Sequence, residues 1–123
     1  MPISLSLALR NARAAAIVTD SGATAKLSVY TAGYAALLYT STCAATLGTV
    51  SGGVLTLNAV GSATASAAGT AAIARLFKTD GTTMVIEGLT VGVTGQNINI
   101  TNTTIAINDA VTTSSGTITE GNA

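Results

Sequence analysis

The second half of the chain alternates Thr and Asn with Val and Ile, and this period of two constrains the fold more than any other feature. The clearest case is the segment 98–107, which reads INITNTTIAI. Alternation of apolar and polar residues places one set on each face of a strand. Short strands separated by Gly, Asn and Asp turns, at a spacing of about 8–12 residues, are typical of a β-sandwich or barrel. Since no helical segments alternate with these strands, a parallel α/β fold is not expected.

The first part of the chain predicts a helix instead. Between Ile3 and Val18, apolar residues recur at spacings of three and four, which forms one stripe along a helix. Ser4 is the candidate N-cap, and the turn-forming run 19–22, which ends in a glycine, is the candidate stop. Such a helix either covers one face of the sheet or docks on a neighbouring subunit. The predicted stripe consists of Leu5, Leu9, Ala12, Ala16 and Ile17.

The length of 123 residues suggests a single domain with a mainly β fold. We predict an N-terminal α-helix over residues 1–20 and an antiparallel β-sandwich or jelly-roll-like barrel over residues 26–120. Because the chain has only three Tyr and one Phe, its core is predicted to consist of Ala, Val, Ile and Leu. The predicted strands are 26–31, 44–47, 54–58, 71–77, 82–87, 89–93, 96–101, 103–107 and 111–119, with 35–40 ambiguous and 59–70 a loop leading into a strand.

The strongest hairpin signal is Asp80-Gly81 between two apolar runs, because glycine tolerates the positive φ of a tight turn. A three-residue loop, 79–81, gives one clean apolar face, and we prefer that register. It places Arg75 and Glu87 together on the other face. The predicted pairs are Leu76 with Met84 and Ala74 with Ile86.

The chain has little with which to perform chemistry. It contains no His and one cysteine, Cys43, so histidine catalysis and a zinc site are not expected, and the thiol is interpreted as a small buried hydrophobe. Phosphate-binding and dinucleotide motifs are missing, and Gly52-Gly53 precedes a strand, which indicates a turn. Asp20, Asp80 and Asp109 lie in turn contexts rather than as a catalytic pair. We therefore expect no enzyme activity, no catalytic residue, no metal and no cofactor.

Charge is equally scarce, at 8% of residues with a net charge of zero. Five dispersed Lys and Arg, balanced by five acids, give no basic surface for nucleic acid. The start of the chain lacks the pattern of a signal peptide, and no stretch approaches the roughly 20 apolar residues that span a bilayer. A neutral surface protects poorly against association, which fits either a permanent assembly or a Thr-coated exterior.

A structural or binding role follows, and two groups of residues are candidates for the interface. Three tyrosines within ten residues provide large contact area with a polar tip, as binding hot spots do, although ordinary core and rim tyrosines would give the same pattern. The helix provides the second group. The candidate interface residues are Leu5, Leu9, Arg13, Tyr30, Tyr34 and Tyr39.

The order of several segments resembles a family of small virion structural proteins from tailed bacteriophages. Spacing and residue character carry the likeness, without any catalytic signature, and the segments together cover most of the chain. The loop that follows Tyr30 departs from the family pattern, since 34–46 has no proline. The matching segments are Leu9-Arg10-Asn11-Ala12-Arg13, Lys26-Leu27-Ser28-Val29-Tyr30, Ser51-Gly52-Gly53-Val54-Leu55-Thr56-Leu57-Asn58, Ala74-Arg75-Leu76-Phe77 before Asp80-Gly81, and Gly116-Thr117-Ile118-Thr119-Glu120-Gly121-Asn122.

The resemblance implies a capsid decoration, or cement, protein, although some relatives belong to the tail. It implies a virion location, with the head favoured over the tail, and the major capsid protein or another virion protein as partner. A closed homo-oligomer, with a trimer favoured, is the expected assembly. The alternatives are a tail or baseplate structural protein and a receptor- or glycan-binding module that uses the tyrosines. Neither nucleic acid nor membrane is an expected partner.

Overall fold

The computed structural model describes residues 6–119, which form one helix followed by twelve strands. The mainly β fold with an N-terminal helix is therefore confirmed. In chain order the elements are α1 (Leu7–Ser21), β1 (Lys26–Tyr30), a 3-10 turn (Ala32–Tyr34), β2 (Leu37–Thr42), β3 (Gly48–Ser51), β4 (Val54–Leu57), β5 (Ala63–Thr64), β6 (Gly69–Thr70), β7 (Ile73–Phe77), β8 (Met84–Gly92), β9 (Ile98–Ile100), β10 (Thr104–Ile105), β11 (Ala110–Val111) and β12 (Thr113–Thr119).

Eight of these strands form one sheet in the order β2-β1-β7-β8-β9-β12-β4-β3. Its pairs are antiparallel except for β8 and β9, which run parallel, so the sheet is mixed. Two short ladders, β10 with β6 and β11 with β5, lie outside it. The large sheet curls, because Tyr39 of β2 lies beside Thr113 of β12 although four strands separate β2 from β12.

The inner face of the curled sheet holds the core. As predicted, the buried side chains are almost all Leu, Ile, Val and Ala, and Tyr39 is the aromatic residue among them. Full burial of a Leu or Ile side chain contributes about 1.5–3 kcal/mol, so a core of this kind depends on many modest contributions. The largest fully buried side chains are Tyr39, Leu27, Leu38, Leu47, Leu55, Leu76, Ile98, Ile100 and Val29.

The helix is shifted towards the C-terminus relative to the prediction. Ser6 is extended, at φ −63° and ψ 156°, and its hydroxyl accepts a hydrogen bond from the Leu9 N–H at 3.1 Å, which makes it the N-cap. The predicted start at Ile3 is therefore wrong, and the candidate cap Ser4 lies outside the described residues. The helix continues through Ser21, whose hydroxyl donates to the Ile17 carbonyl at 2.7 Å, and Gly22 at φ +69° ends it.

The helix covers the sheet of its own chain, which answers the question that the sequence left open. It lies against β3, β4 and β8, and the Gly53 N–H donates to Oδ1 of Asn11 at 2.7 Å. The buried stripe consists of Ala14, Ile17, Val18 and Ser21, which follow the i, i+3, i+4, i+7 spacing. The predicted stripe mostly faces outward instead, with Leu9 46% exposed and Ala12 and Ala16 exposed beside it.

The Gly52-Gly53 pair forms the predicted turn, between β3 and β4. Ser51 pairs with Val54, and the two glycines have φ of +61° and +75°, the signs that a type I′ turn requires. A Cβ atom on Gly53 would lie 3.3 Å from Cβ and Nη1 of Arg10. Glycine therefore allows both the turn and the close approach of α1.

The hairpin of β7 and β8 forms where predicted, but the predicted register is wrong. Asp80 Oδ1 accepts hydrogen bonds from the N–H groups of Thr82 and Thr83, both at 2.8 Å. These bonds keep Thr82 and Thr83 in the turn, so β8 begins at Met84. Bulges between β7 and β8 then shift the pairing register. Arg75 and Glu87 nevertheless share the outer face, as expected. The observed pairs are Phe77 with Met84, Leu76 with Ile86 and Ala74 with Leu89.

Other strand boundaries differ where small residues dominate. The predicted strand 44–47 is wrong, and β3 begins after it, at Gly48. The ambiguous run 35–40 supplies most of β2, and β8 passes through Gly88 without a break. The segment 59–70 contains β5 and β6, which pair with late strands of the chain.

Candidate interaction surface

The outer face of the sheet carries a stacked cluster of Tyr30, Tyr34 and Arg75. The Arg75 Cζ lies 3.8 Å from the centroid of the Tyr34 ring and 5.3 Å from that of Tyr30. The two rings meet edge to face, with centroids 5.4 Å apart and planes at 77°. Cation–π and aromatic contacts of this kind contribute roughly 0.5–1.5 kcal/mol each and hold the guanidinium in one place.

The position of Tyr34 depends on the turn between β1 and β2. The Thr31 N–H donates to the Ala36 carbonyl at 3.0 Å, and the Ala36 N–H donates to the Thr31 hydroxyl at 3.0 Å. Within this closed loop Tyr34 has φ +59°, which costs a non-glycine residue about 1–3 kcal/mol. Its hydroxyl accepts from the Gly88 N–H at 2.8 Å, so the ring is fixed at both ends.

The Arg75 side chain is held in place, but one of its hydrogen-bond donors has no acceptor among the described residues. Its Nε is buried and has no hydrogen-bond partner among residues 6–119. Oε2 of Glu87 lies 3.9 Å away, which is within ion-pair range but too long for a hydrogen bond. The side chain of Glu87 is 51% exposed, so its pairing with Arg75 is weakened by solvent.

Aromatic and large apolar side chains continue around this cluster. Phe77 lies on the same face as Arg75, because alternate residues of β7 point the same way, and it pairs with the 47% exposed Met84. Leu37, which pairs with Tyr30, is 43% exposed. Three of the four aromatic residues of the chain therefore lie outside the core. We call this set the outer aromatic face, and it consists of Tyr30, Tyr34, Leu37, Arg75, Phe77, Met84 and Glu87.

The exposed side of α1 forms a second surface. An open depression of about 590 Å³ lies between the helix and the β7–β8 turn. At its edge, Nζ of Lys78 forms an ion pair with Oδ1 of Asp20 at 3.3 Å. Leu9 and Arg13 are exposed on the helix, whereas Leu5 lies outside the described residues. Of the helical candidates, Leu9 and Arg13 are thus at the surface. The depression is lined by Ala12, Ala15, Ala16, Thr19, Asp20 and Lys78.

Tyr39 does not join the other two tyrosines. It pairs with Val29 on the inner face and is 2% exposed, so it belongs to the core. Burial raises the pKa of Tyr39 to about 12, while the nearby Thr113 hydroxyl has the opposite, smaller effect. The two hydroxyl oxygens are buried without a hydrogen bond of good geometry among the described residues.

The remaining ionisable groups have structural positions. The carboxylate of Asp80 accepts from Thr82 and Thr83, chiefly from the Thr83 hydroxyl at 2.6 Å, and these bonds lower its pKa to about 2. Asp109 Oδ2 accepts from the Ala106 N–H at 2.8 Å. Burial raises the pKa of the Cys43 thiol to about 11, which keeps it protonated and unreactive at neutral pH.

Residues 6–119 contain no group of three or more His, Cys, Asp or Glu side chains arranged to hold a metal ion. In this range, no helix has the length and apolar character needed to cross a membrane.

Asparagines rather than charged groups organise the loops beside β8 and β9. Oδ1 of Asn97 accepts from the N–H and hydroxyl of Thr90, both at 3.1 Å, and its Nδ2 donates to the Thr117 carbonyl at 3.2 Å. Nδ2 of Asn99 donates to the Ser115 hydroxyl at 3.0 Å. Some of the Thr and Asn side chains in this part of the sequence therefore form hydrogen bonds that connect neighbouring strands.

Arg75 is not among the predicted interface residues, although the predicted hairpin placed it on the outer face with Glu87.

No family model matches the chain, and neither a curated protein nor a solved structure matches it.

Proposed function

We propose that this protein is a structural component of a tailed-bacteriophage virion, with capsid decoration favoured over a tail or baseplate role. In this proposal it binds the major capsid protein and self-associates, with a trimer favoured. Its contribution is contact area that strengthens the particle, and no chemical step is required.

The observation that supports the proposal is the outer aromatic face. A chain with four aromatic residues places Tyr30, Tyr34 and Phe77 outside its core, next to Arg75. Tyr and Arg are enriched at interface hot spots, whereas a monomeric surface gains little from them. The low charge of the chain is also suited to a surface that is covered in an assembly.

Binding of the purified protein to heads of the source phage that lack it tests the proposal. We expect saturable co-sedimentation with a fixed ratio to capsid subunits, and heads that survive higher temperature once it is bound. Met84→Asp should weaken this binding, because a disturbed outer aromatic face would prevent the self-associated form from assembling on the head. The matched control is Ile107→Asp, because Ile107 is 60% exposed but lies in the turn before β11. Failure to bind heads or tails would contradict the virion role.

A receptor- or glycan-binding module is the second candidate, and the Tyr30–Tyr34 pair favours it, since aromatic rings are platforms for sugars. We rank it second because Arg75 already covers one face of the Tyr34 ring at 3.8 Å. A glycan array probed with the purified protein tests this candidate. A specific ligand whose binding is lost in Tyr34→Ala would support it, and an array without a ligand would exclude it.

A further inference from the structure

We infer that the outer aromatic face is the contact through which copies of this chain associate, with Arg75 of one copy paired with Glu87 of the next. The occupant of the face is thus a second copy of the same protein. The inference rests on the self-association part of the proposed function and does not depend on the virion. Because the same face meets itself, the contact is two-fold and predicts a dimer in place of the trimer that the resemblance favours.

The charges of the face are self-complementary. Arg75 and Glu87 lie side by side, 3.9 Å apart, so a second copy that meets this face across a two-fold axis brings a carboxylate to each guanidinium and a guanidinium to each carboxylate. The stacked Arg75 is already fixed between two rings, so forming the contact costs little side-chain entropy. Exclusion of water would also strengthen the pair relative to its present, partly solvated state.

Apolar side chains surround the charged pair. Leu37 and Met84 are two of the large hydrophobic residues that the described surface exposes, and both lie on this face. Tyr and Arg are enriched at interface hot spots, where surrounding contacts exclude water, and Leu37 and Met84 are placed to make such contacts here.

Among residues 6–119, Glu87 is the carboxylate best placed for the contact. Asp80 and Asp109 are occupied by backbone N–H groups of their own turns, and Asp20 lies 3.3 Å from Lys78. A second copy therefore supplies both the acid and the apolar surface that Arg75 and its neighbours complement.

Charge reversal with sedimentation velocity tests the inference. We expect E87R to weaken self-association by about tenfold or more, because it places two cations together in the contact. Since Glu87 is 51% exposed, this variant tests the contact with little effect on folding. R75E should weaken association similarly, and the double variant R75E/E87R should restore it in part, because the charges pair again but the carboxylate at position 75 does not stack on the tyrosine rings. Circular dichroism checks the fold of each variant.

The matched control is the charge swap D20K/K78D at the exposed Asp20–Lys78 pair, together with its single variants. We expect these to associate like the wild type. If the wild type associates but E87R, R75E and the double variant all behave like it, the inference is wrong and the proposed oligomer uses another surface. If the wild type remains a monomer at every concentration, the self-association in the proposed function fails as well.

Discussion

The backbone N–H of Gly88 donates a hydrogen bond to the phenolic oxygen of Tyr34 at 2.8 Å, across 54 positions of sequence. The bond joins the turn after β1 to the bulged part of β8. It holds the Tyr34 ring against Arg75, and its free energy helps to offset the left-handed backbone of Tyr34. The order of the outer aromatic face therefore depends on a contact between the turn after β1 and the bulge in β8.

Removal of this hydroxyl should destabilise the protein. We predict that Tyr34→Phe lowers the free energy of unfolding by about 0.5–1.5 kcal/mol, because the Gly88 N–H loses its acceptor while the ring remains. Urea denaturation measures the change. Tyr30→Phe is the matched control, since the Tyr30 hydroxyl takes no part in the bond to Gly88. Equal stability of Tyr34→Phe and the wild type would contradict the prediction.

The contact between α1 and the β3–β4 turn predicts a difference between two glycines. Gly53→Ala and Gly81→Ala both place a side chain at positive φ, which costs roughly 1–2 kcal/mol each. Gly53→Ala should cost more, because its Cβ would lie 3.3 Å from Arg10 whereas the site around Gly81 is open. Urea midpoints of the two variants provide the comparison. Equal losses would show that the helix moves aside without cost.

Alkaline pH should destabilise the fold through two buried groups. Burial raises the pKa of Tyr39 from 10.0 to about 12 and that of Cys43 from 9.0 to about 11. Both groups are neutral when protonated, so the unfolded chain releases their protons first as the pH rises. The free energy of unfolding should be almost unaffected by them below about pH 8 and should fall between about pH 8 and 12.

Denaturation curves measured through this pH range test that expectation. Tyr39→Phe should decline less steeply than the wild type, because one of the two groups is gone. At neutral pH this variant should be close to the wild type in stability, since it removes a buried hydroxyl that lacks a good hydrogen bond. A decline identical to that of the wild type would rule out Tyr39 as a cause.

Asp80 should give the opposite pH dependence. Its pKa is lowered to about 2 by the hydrogen bonds from Thr83 and Thr82, so its contribution to the turn is present above about pH 4 and is lost as the pH falls through 2. Hydrogen exchange of the Thr82 and Thr83 amides should quicken in Asp80→Ala at neutral pH. Asp80→Asn keeps one acceptor oxygen, so its partial protection should not change with acid. Unchanged exchange in both variants would contradict this account.

Much of the fold follows from local sequence signals. The period of two identified β1 and β4, and Asp80-Gly81 and Gly52-Gly53 located two turns, because these patterns act within a few residues. The start of α1 was missed since Ser4 and Ser6 are both good caps. The helix carries two overlapping apolar stripes, the predicted one and the buried one. Which of them is buried depends on the tertiary contact with β3 and β4, and this contact leaves no local signal in the sequence.

The candidate site was harder to predict for the same reason. Tyr30, Tyr34 and Tyr39 are close in sequence, but Tyr39 pairs with the inward-facing Val29. The register shift between Val29 and Tyr30 leaves Leu37 exposed and Tyr39 buried although they are two residues apart in one strand. Arg75 joins Tyr30 because β7 pairs with β1, although more than forty residues separate them. A pairing at that distance has no local sequence signal.

The order of strands in the large sheet also has a kinetic consequence. β12, the last of the described strands, lies between β9 and β4 and joins β4-β3 to the other five strands. During synthesis these two parts of the sheet can form early, but nothing in the sheet connects them until residues 113–119 have left the ribosome. Nascent chains therefore carry open strand edges on both parts until that moment, and closure by β12 is the step that ends their exposure.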